Sequence, residues 1–205
     1  MKRTFALLLS LVMVLTLFTA CATTRMHAVW SDPSYQGPPH KVLVYSMLKA
    51  PGNRRTIEDE FVRYLKYRNV DAVAGYSVFP GNELVKKEDV EAKLKEGGFD
   101  SLLLTRLTGT KREQVQIQTG MAYQPAPYYG NWGGYYATGY SAAYSSSRIV
   151  DEDYALAETN LYNVATEKLV FTAASETWVG GNMQATIKEY VDRIMREMQK
   201  QKVVP

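Results

Sequence analysis

Between Lys41 and Leu107 the sequence alternates two periodicities, and that alternation restricts the fold more than any other feature. KVLVYSML, Lys41 to Leu48, is apolar and rich in β-branched residues, the pattern of a buried strand. In APGNRRTIEDEFVRYLKYRN the residues Ile57, Phe61 and Leu65 recur at four-residue steps with Val62 beside them, and Thr56 with Asp59 resembles a capping pair. This predicts an amphipathic helix with one buried stripe. VDAVAGYSVF, Val70 to Phe79, reads as a second strand stopped by Pro80-Gly81-Asn82. KKEDVEAKLKEGG reads as a second helix, with Val90 and Leu94 inward and Gly97-Gly98 as a left-handed stop. FDSLLLTRL then opens a third strand. That order builds a sheet with parallel pairs joined by crossover helices.

After Gly109 the pattern changes. KREQVQIQTG alternates, Val115 and Ile117 against Gln114, Gln116 and Gln118, as a strand wet on one face does. DYALAETNLYN and KLVFTAASETWV flank Val164-Ala165-Thr166-Glu167 as an antiparallel hairpin. A last helix begins near Asn182 and turns Ile187, Val191, Ile194 and Met198 to one side. The expected fold is therefore mixed α/β, with α+β character, in a single domain over 41–201. It comprises a mixed sheet of about five strands, three covering helices and a long aromatic-rich hairpin loop over 121–147.

The N-terminus carries Lys2 and Arg3 ahead of an apolar run from Phe5 to Phe18, which is the layout of a secretory signal peptide over 1–20. As a membrane span the run is short, since crossing takes roughly 20 apolar residues. Residues 21–40, with three prolines and no sustained periodicity, read as a tether. Cys21 is the only cysteine in the chain, so no internal disulfide is possible. Leu17-Phe18-Thr19-Ala20-Cys21 resembles the lipobox of bacterial lipoproteins, with Phe18 where the pattern usually has Leu. The resemblance implies a Cys21 bearing fatty acyl chains, an anchor that needs no membrane-spanning helix. By the sorting logic of Gram-negative lipoproteins, Ala22 in place of Asp implies the periplasmic face of the outer membrane. Ala20-Cys21-Ala22 also fits ordinary signal cleavage, which would release a soluble periplasmic protein. The order of elements is similar to small α/β N-terminal domains of the TolB type and to envelope lipoproteins, a resemblance that implies a fold and a compartment.

Setting aside Lys2 and Arg3, 22 basic residues face 21 acidic ones. Nothing resembles the basic stripe that nucleic acid requires. The two histidines, His27 and His40, lie in the tether, so neither a Cys/His zinc site nor a His-activated nucleophile is expected, and no cofactor is implied. Carboxylates remain: Asp151, Glu152 and Asp153 form a cluster, and Glu158 and Glu176 sit in the last hairpin. Such groups could hydrolyse a glycosidic bond if two faced one another across a cleft, although solvated or ion-paired carboxylates fit the pattern as well. Arg54 and Arg55, ahead of Glu58, Asp59 and Glu60, read as an anion-binding pair or as partners in a salt bridge.

The stretch QPAPYYGNWGGYYATGYSAAYSSS stands apart. With Tyr123 just before it, the span to Tyr144 holds seven Tyr, Trp132 and no charge. Disordered linkers are poor in aromatics. The rings either pack on the domain, cap a long hairpin whose return strand is Arg148-Ile149-Val150, or form a recognition surface. On the last reading Tyr128, Tyr129, Trp132, Tyr135, Tyr136 and Tyr140 contact a partner, ranked as an envelope protein ahead of peptidoglycan. The expected role is a non-enzymatic interaction or assembly module. A glycan binder and a carboxylate hydrolase are the other readings.

Overall fold

The computed structural model describes residues 23–81, 85–118 and 147–205. Cys21 and all six of the aromatic residues singled out above lie outside them. Among the described residues the elements run β1 (Thr24–Ser31), β2 (Lys41–Met47), α1 (Pro51–Tyr67), β3 (Asp71–Ala74), α2 (Gly75–Val78), α3 (Lys87–Glu96), β4 (Ser101–Gln118), β5 (Ser147–Asn163), β6 (Leu169–Trp178) and α4 (Met183–Lys200). They form a mixed α/β fold around one six-stranded sheet in the order β1-β6-β5-β4-β2-β3. Strand β2 runs parallel to β3 and β4, and the remaining pairs are antiparallel.

The stripe of α1 and that of α4 cover one face. Phe61, Leu65, Val191, Ile194, Met195 and Met198 pack there on Val42, Val44, Leu103, Leu161 and Phe171 from the sheet. Phe61 meets Tyr190 edge-on at 6.3 Å between ring centroids, which joins the two helices over the sheet. On the other face a smaller core of Leu43, Tyr45, Phe79, Leu94 and Phe99 lies under α3. Helix α3 is only 10 residues long and packs beside β2 and β4, so none of the described helices crosses the outer face of β5, β6 and β1.

Several expectations change. The tether does not stay free: Thr24–Ser31 pairs antiparallel with β6, and Thr24, Met26, Val29 and Ser31 share its core-facing side. A register shift between Met26 and Ala28 breaks the alternation that would have marked a strand. At the other terminus the core extends past 201, because Val203 and Val204 are buried. Helix α1 starts at Pro51, with Ala50 as cap, and Thr56 Oγ1 donates back to Gly52 O at 2.9 Å. Pro at the first helical position presets the required φ, which moves the start a full turn ahead of the expected pair. The second strand ends at Ala74. A Cβ on Gly75 would lie 2.8 Å from Val44 O, and the chain turns there into the short helix α2. What read as a third strand and a separate alternating strand is one strand, β4, carried through Gly109 by a bulge between Leu107 and Gly109. The stop at Gly98, with φ of +62°, the Asn182 cap and the β5–β6 hairpin match the sequence reading.

A variant lacking residues 23–31 is expected to unfold at a lower urea midpoint than the parent, because it loses the β6 edge pairing and the packing of Met26 and Val29. An unchanged midpoint would mean that β1 contributes nothing to the domain.

Candidate functional site

Strands β4 and β5 leave the sheet together. The last partner of β2 on β4 is Arg106, and the last partner of β6 on β5 is Tyr154. Beyond these, seven residue pairs from Arg112↔Asp153 to Gln118↔Ser147 have no other strand beside them. At about 3.4 Å per residue this ribbon is roughly 24 Å long. An isolated pair of strands is marginal in water, and one ion pair crosses this one at its foot. Arg112 Nε donates to Asp153 Oδ1 at 2.7 Å, which raises the guanidinium and lowers the Asp153 carboxyl relative to their ordinary values. Lys111 Nζ lies 2.5 Å from Glu113 Oε1 and 3.5 Å from Glu176 Oε1. Glu176 is only 5% exposed and also meets His27 Nε2 at 3.0 Å, so the structure brings a histidine from the expected tether onto a carboxylate of the last hairpin.

The root of the ribbon is also where the chain enters the domain. Thr23 donates from its backbone N–H to Glu189 Oε1 at 2.5 Å and from Oγ1 to Oε2 at 2.6 Å. Its carbonyl accepts from the Trp178 N–H at 3.0 Å, while Val179 N–H donates to Asp153 O at 2.9 Å. The Trp178 ring lies across the turn into α4, so that a Cβ on Gly180 would come within 2.3 Å of it. Residue 23, the start of α4 and the foot of the ribbon thus share one end of the sheet.

Two cavities flank the sheet. One of about 450 Å³ lies beside α3, with Leu102, Leu104, Val90 and Leu94 among its walls and Lys87, Lys95, Glu91 and Glu167 at its rim. Its size is ordinary for a small-molecule pocket. The other, about 250 Å³, lies at the ribbon end between the two long helices and the sheet, and is lined by Leu48, Leu107, Ala155, Val179 and Met183 among others.

Arg54 and Arg55 part company. Arg54 is buried and donates to Glu58 Oε1 at 3.1 Å, to Gly81 O at 2.8 Å and to Phe79 O at 3.2 Å. Glu58, fully buried, also accepts from the backbone N–H groups of Ser46 and Tyr76. This is a clamp joining α1, β2 and α2, with its acceptors already filled. Arg55 lies over the Tyr76 ring at 5.4 Å. Glu158 pairs with Arg106 at 2.7 Å, and neither it nor Glu176 lines either of these two cavities. Asp153 is paired on the ribbon, and Glu152 accepts from the Tyr154 hydroxyl. Among the described residues no three His, Cys, Asp or Glu gather as a metal site would need. No described helix is long and apolar enough to cross a membrane.

No protein-family model matches this chain. No curated protein matches it either. Among solved structures it is similar to the PelC dodecamer of Paraburkholderia phytofirmans, at 8% identity over 86% of this chain and 97% of that one, with a TM-score of 0.48. It is also similar to the lipoprotein GNA1162 of Neisseria meningitidis, at 11% identity over 79% of this chain and 99% of that one, with a TM-score of 0.43.

Glu58→Ala strands the Arg54 guanidinium without its counter-charge and is expected to cost about 3–5 kcal/mol in urea unfolding. Burial pushes the Glu58 carboxyl above its ordinary range, outweighing the hydrogen bonds and Arg54, which pull it down. The folded state therefore binds this proton more tightly than the unfolded chain does. The stability it contributes is complete below the unfolded carboxylate value and declines as pH rises through the raised folded value. Stability measured against pH should lose this component in Glu58→Gln; parallel profiles for the two proteins would refute the assignment.

Proposed function

We propose that the chain is a non-enzymatic envelope lipoprotein, held at the periplasmic face of the outer membrane through an acylated Cys21. Its α/β domain serves as an interaction module and the β4–β5 ribbon is its contact arm. The observation that carries this reading is the ribbon itself. Seven residue pairs stand clear of the other four strands, and the sequence from Gln114 through Ser147 has no charged residue. A compact domain gains little core from such an extension, and long connections of this kind are commonly functional. Tyr and Trp supply contact area with few rotatable bonds to immobilise, which suits the aromatic sequence between the two strands to recognition. The lone cysteine stands where the lipobox-like sequence would have it acylated, and multiple acyl chains on it would hold the domain stably at a bilayer.

Two experiments test the reading. Cys21→Ser should move the protein from the membrane fraction to the soluble periplasmic fraction, and retention in the membrane would contradict the anchor. Replacing residues 113–152 by an Asn-Gly turn should leave the domain folded and membrane-bound while abolishing the complex it forms in detergent-solubilised envelopes. Survival of that complex in the shortened protein would refute the arm. Loss of binding to purified peptidoglycan in the same variant would assign the arm to a glycan.

A further inference from the structure

We infer that the end of the sheet from which the ribbon leaves is the surface that rests on the lipid bilayer. This rests on the anchored reading above and adds the orientation of the domain. Cys21 is two residues from Thr23, and two residues span at most about 7 Å. Thr23 is fixed at the ribbon end by Glu189 and Trp178. An acyl chain on Cys21 therefore enters the bilayer beside this end, with Ala22 as the only spacer.

The surface chemistry of the same end agrees independently. Five large apolar side chains are exposed among the described residues, and three of them, Met47 at 41%, Leu107 at 46% and Met183 at 40%, lie here. Met47 closes β2 opposite Arg106, Leu107 is the next residue of β4, and Met183 opens α4. Leu107 and Met183 also line the cavity of about 250 Å³, which lies at this end with Leu48 and Val179 in its wall. Met47 lines the larger cavity beside α3 instead; single exposed apolar residues need no explanation, but Leu107 and Met183 in the wall of an apolar hollow, with Met47 at the same end of the sheet, mark a contact surface. Trp30 and Tyr67 are the other two of these five and lie toward the far end; exposed charges occur at both ends, Lys49, Arg106 and Lys111 at the ribbon end and Glu167, Lys168 and Lys200 at the other, so the apolar side chains and not the charges distinguish the ribbon end.

The occupant is a bilayer interface of ordinary zwitterionic lipid. Lys111 and Arg112 at the foot of the ribbon already face Glu113 and Asp153, so they leave little net positive charge to select anionic headgroups. Leu107 and Met183, with the hollow between them, lie at headgroup depth.

Acylation of Cys21 leaves an introduced cysteine as the only free thiol, which allows a direct test. The full acylated protein carrying Leu107→Cys, Met183→Cys, Tyr67→Cys or Lys168→Cys is labelled with an environment-sensitive fluorophore. It is then incorporated into phosphatidylcholine vesicles with brominated acyl chains. Labels at 107 and 183 are expected to be blue-shifted and quenched, unaffected by added salt, while labels at 67 and 168 are not. The Cys21→Ser form of each is expected to show neither effect. Equal quenching at both ends, quenching only at 67 and 168, or none on vesicle-bound protein would overturn the orientation while leaving the anchor standing. An acylated protein that fails to join the vesicles would overturn the anchored reading and this inference together.

Discussion

The antiparallel pairing of β1 with β6, locked at its start by Thr23 on Glu189, is the constraint from which the functional reading follows. Without it the domain would begin near Lys41, and any anchor at Cys21 would act through a leash of 19 residues. With it, the strand adjoining the anchor is part of the sheet, and the domain takes a defined attitude to whatever holds Cys21. Backbone pairing along seven registered residues of β1, the Thr24–Thr177 hydroxyl contact and the burial of Met26 and Val29 against the core all oppose release of this strand.

The rest of the architecture is asymmetric in a way that suits an edge-on role. Helices α1 and α4 complete one face of the sheet, whereas α3 shelters only the β2–β4 side of the other. The open half of that face is closed by side chains of the sheet itself: Glu176 takes His27 and Lys111, and Glu158 takes Arg106. Those pairs satisfy the polar groups without building a cleft. The distinctive geometry is left at one end, where two strands continue past their neighbours and the apolar side chains of Leu107 and Met183 stay uncovered.

Much of this was legible in the sequence where local periodicity and tertiary structure agree. Ile57, Phe61 and Leu65 in α1 and Ile187, Val191 and Ile194 in α4 show the stripes that pack on the sheet. Apolar runs marked β2, the start of β4 and β6. What stayed hidden depended on partners distant in sequence or on a local break. Strand β1 was disguised by its shift at Met26/Ala28 and by the prolines that follow it. Gly109 looked like a boundary because a bulge and a strand end have the same composition. Gly75 ended β3 early because Val44 lies against it, a contact no local pattern announces. The His27–Glu176 pair joins residues 149 apart, and the salt bridge expected for Arg54 or Arg55 gave no sign of being buried, because nothing nearby in the sequence shows that α2 closes over Arg54 and Glu58. The aromatic residues from Tyr128 to Tyr140 and Cys21 lie outside the described residues, so their roles rest on sequence and on where the adjoining strands lead.

The most direct test of the central claim is the distance between the folded domain and the lipid. Neutron reflectometry on a supported bilayer carrying the acylated protein reads that distance. A strand fixed from residue 23 predicts protein density beginning at the headgroups, with no hydrated layer wider than the roughly 7 Å that two residues span. A water-filled gap approaching the 25 Å or so of a flexible 19-residue linker would show that β1 detaches and that the domain hangs on a tether.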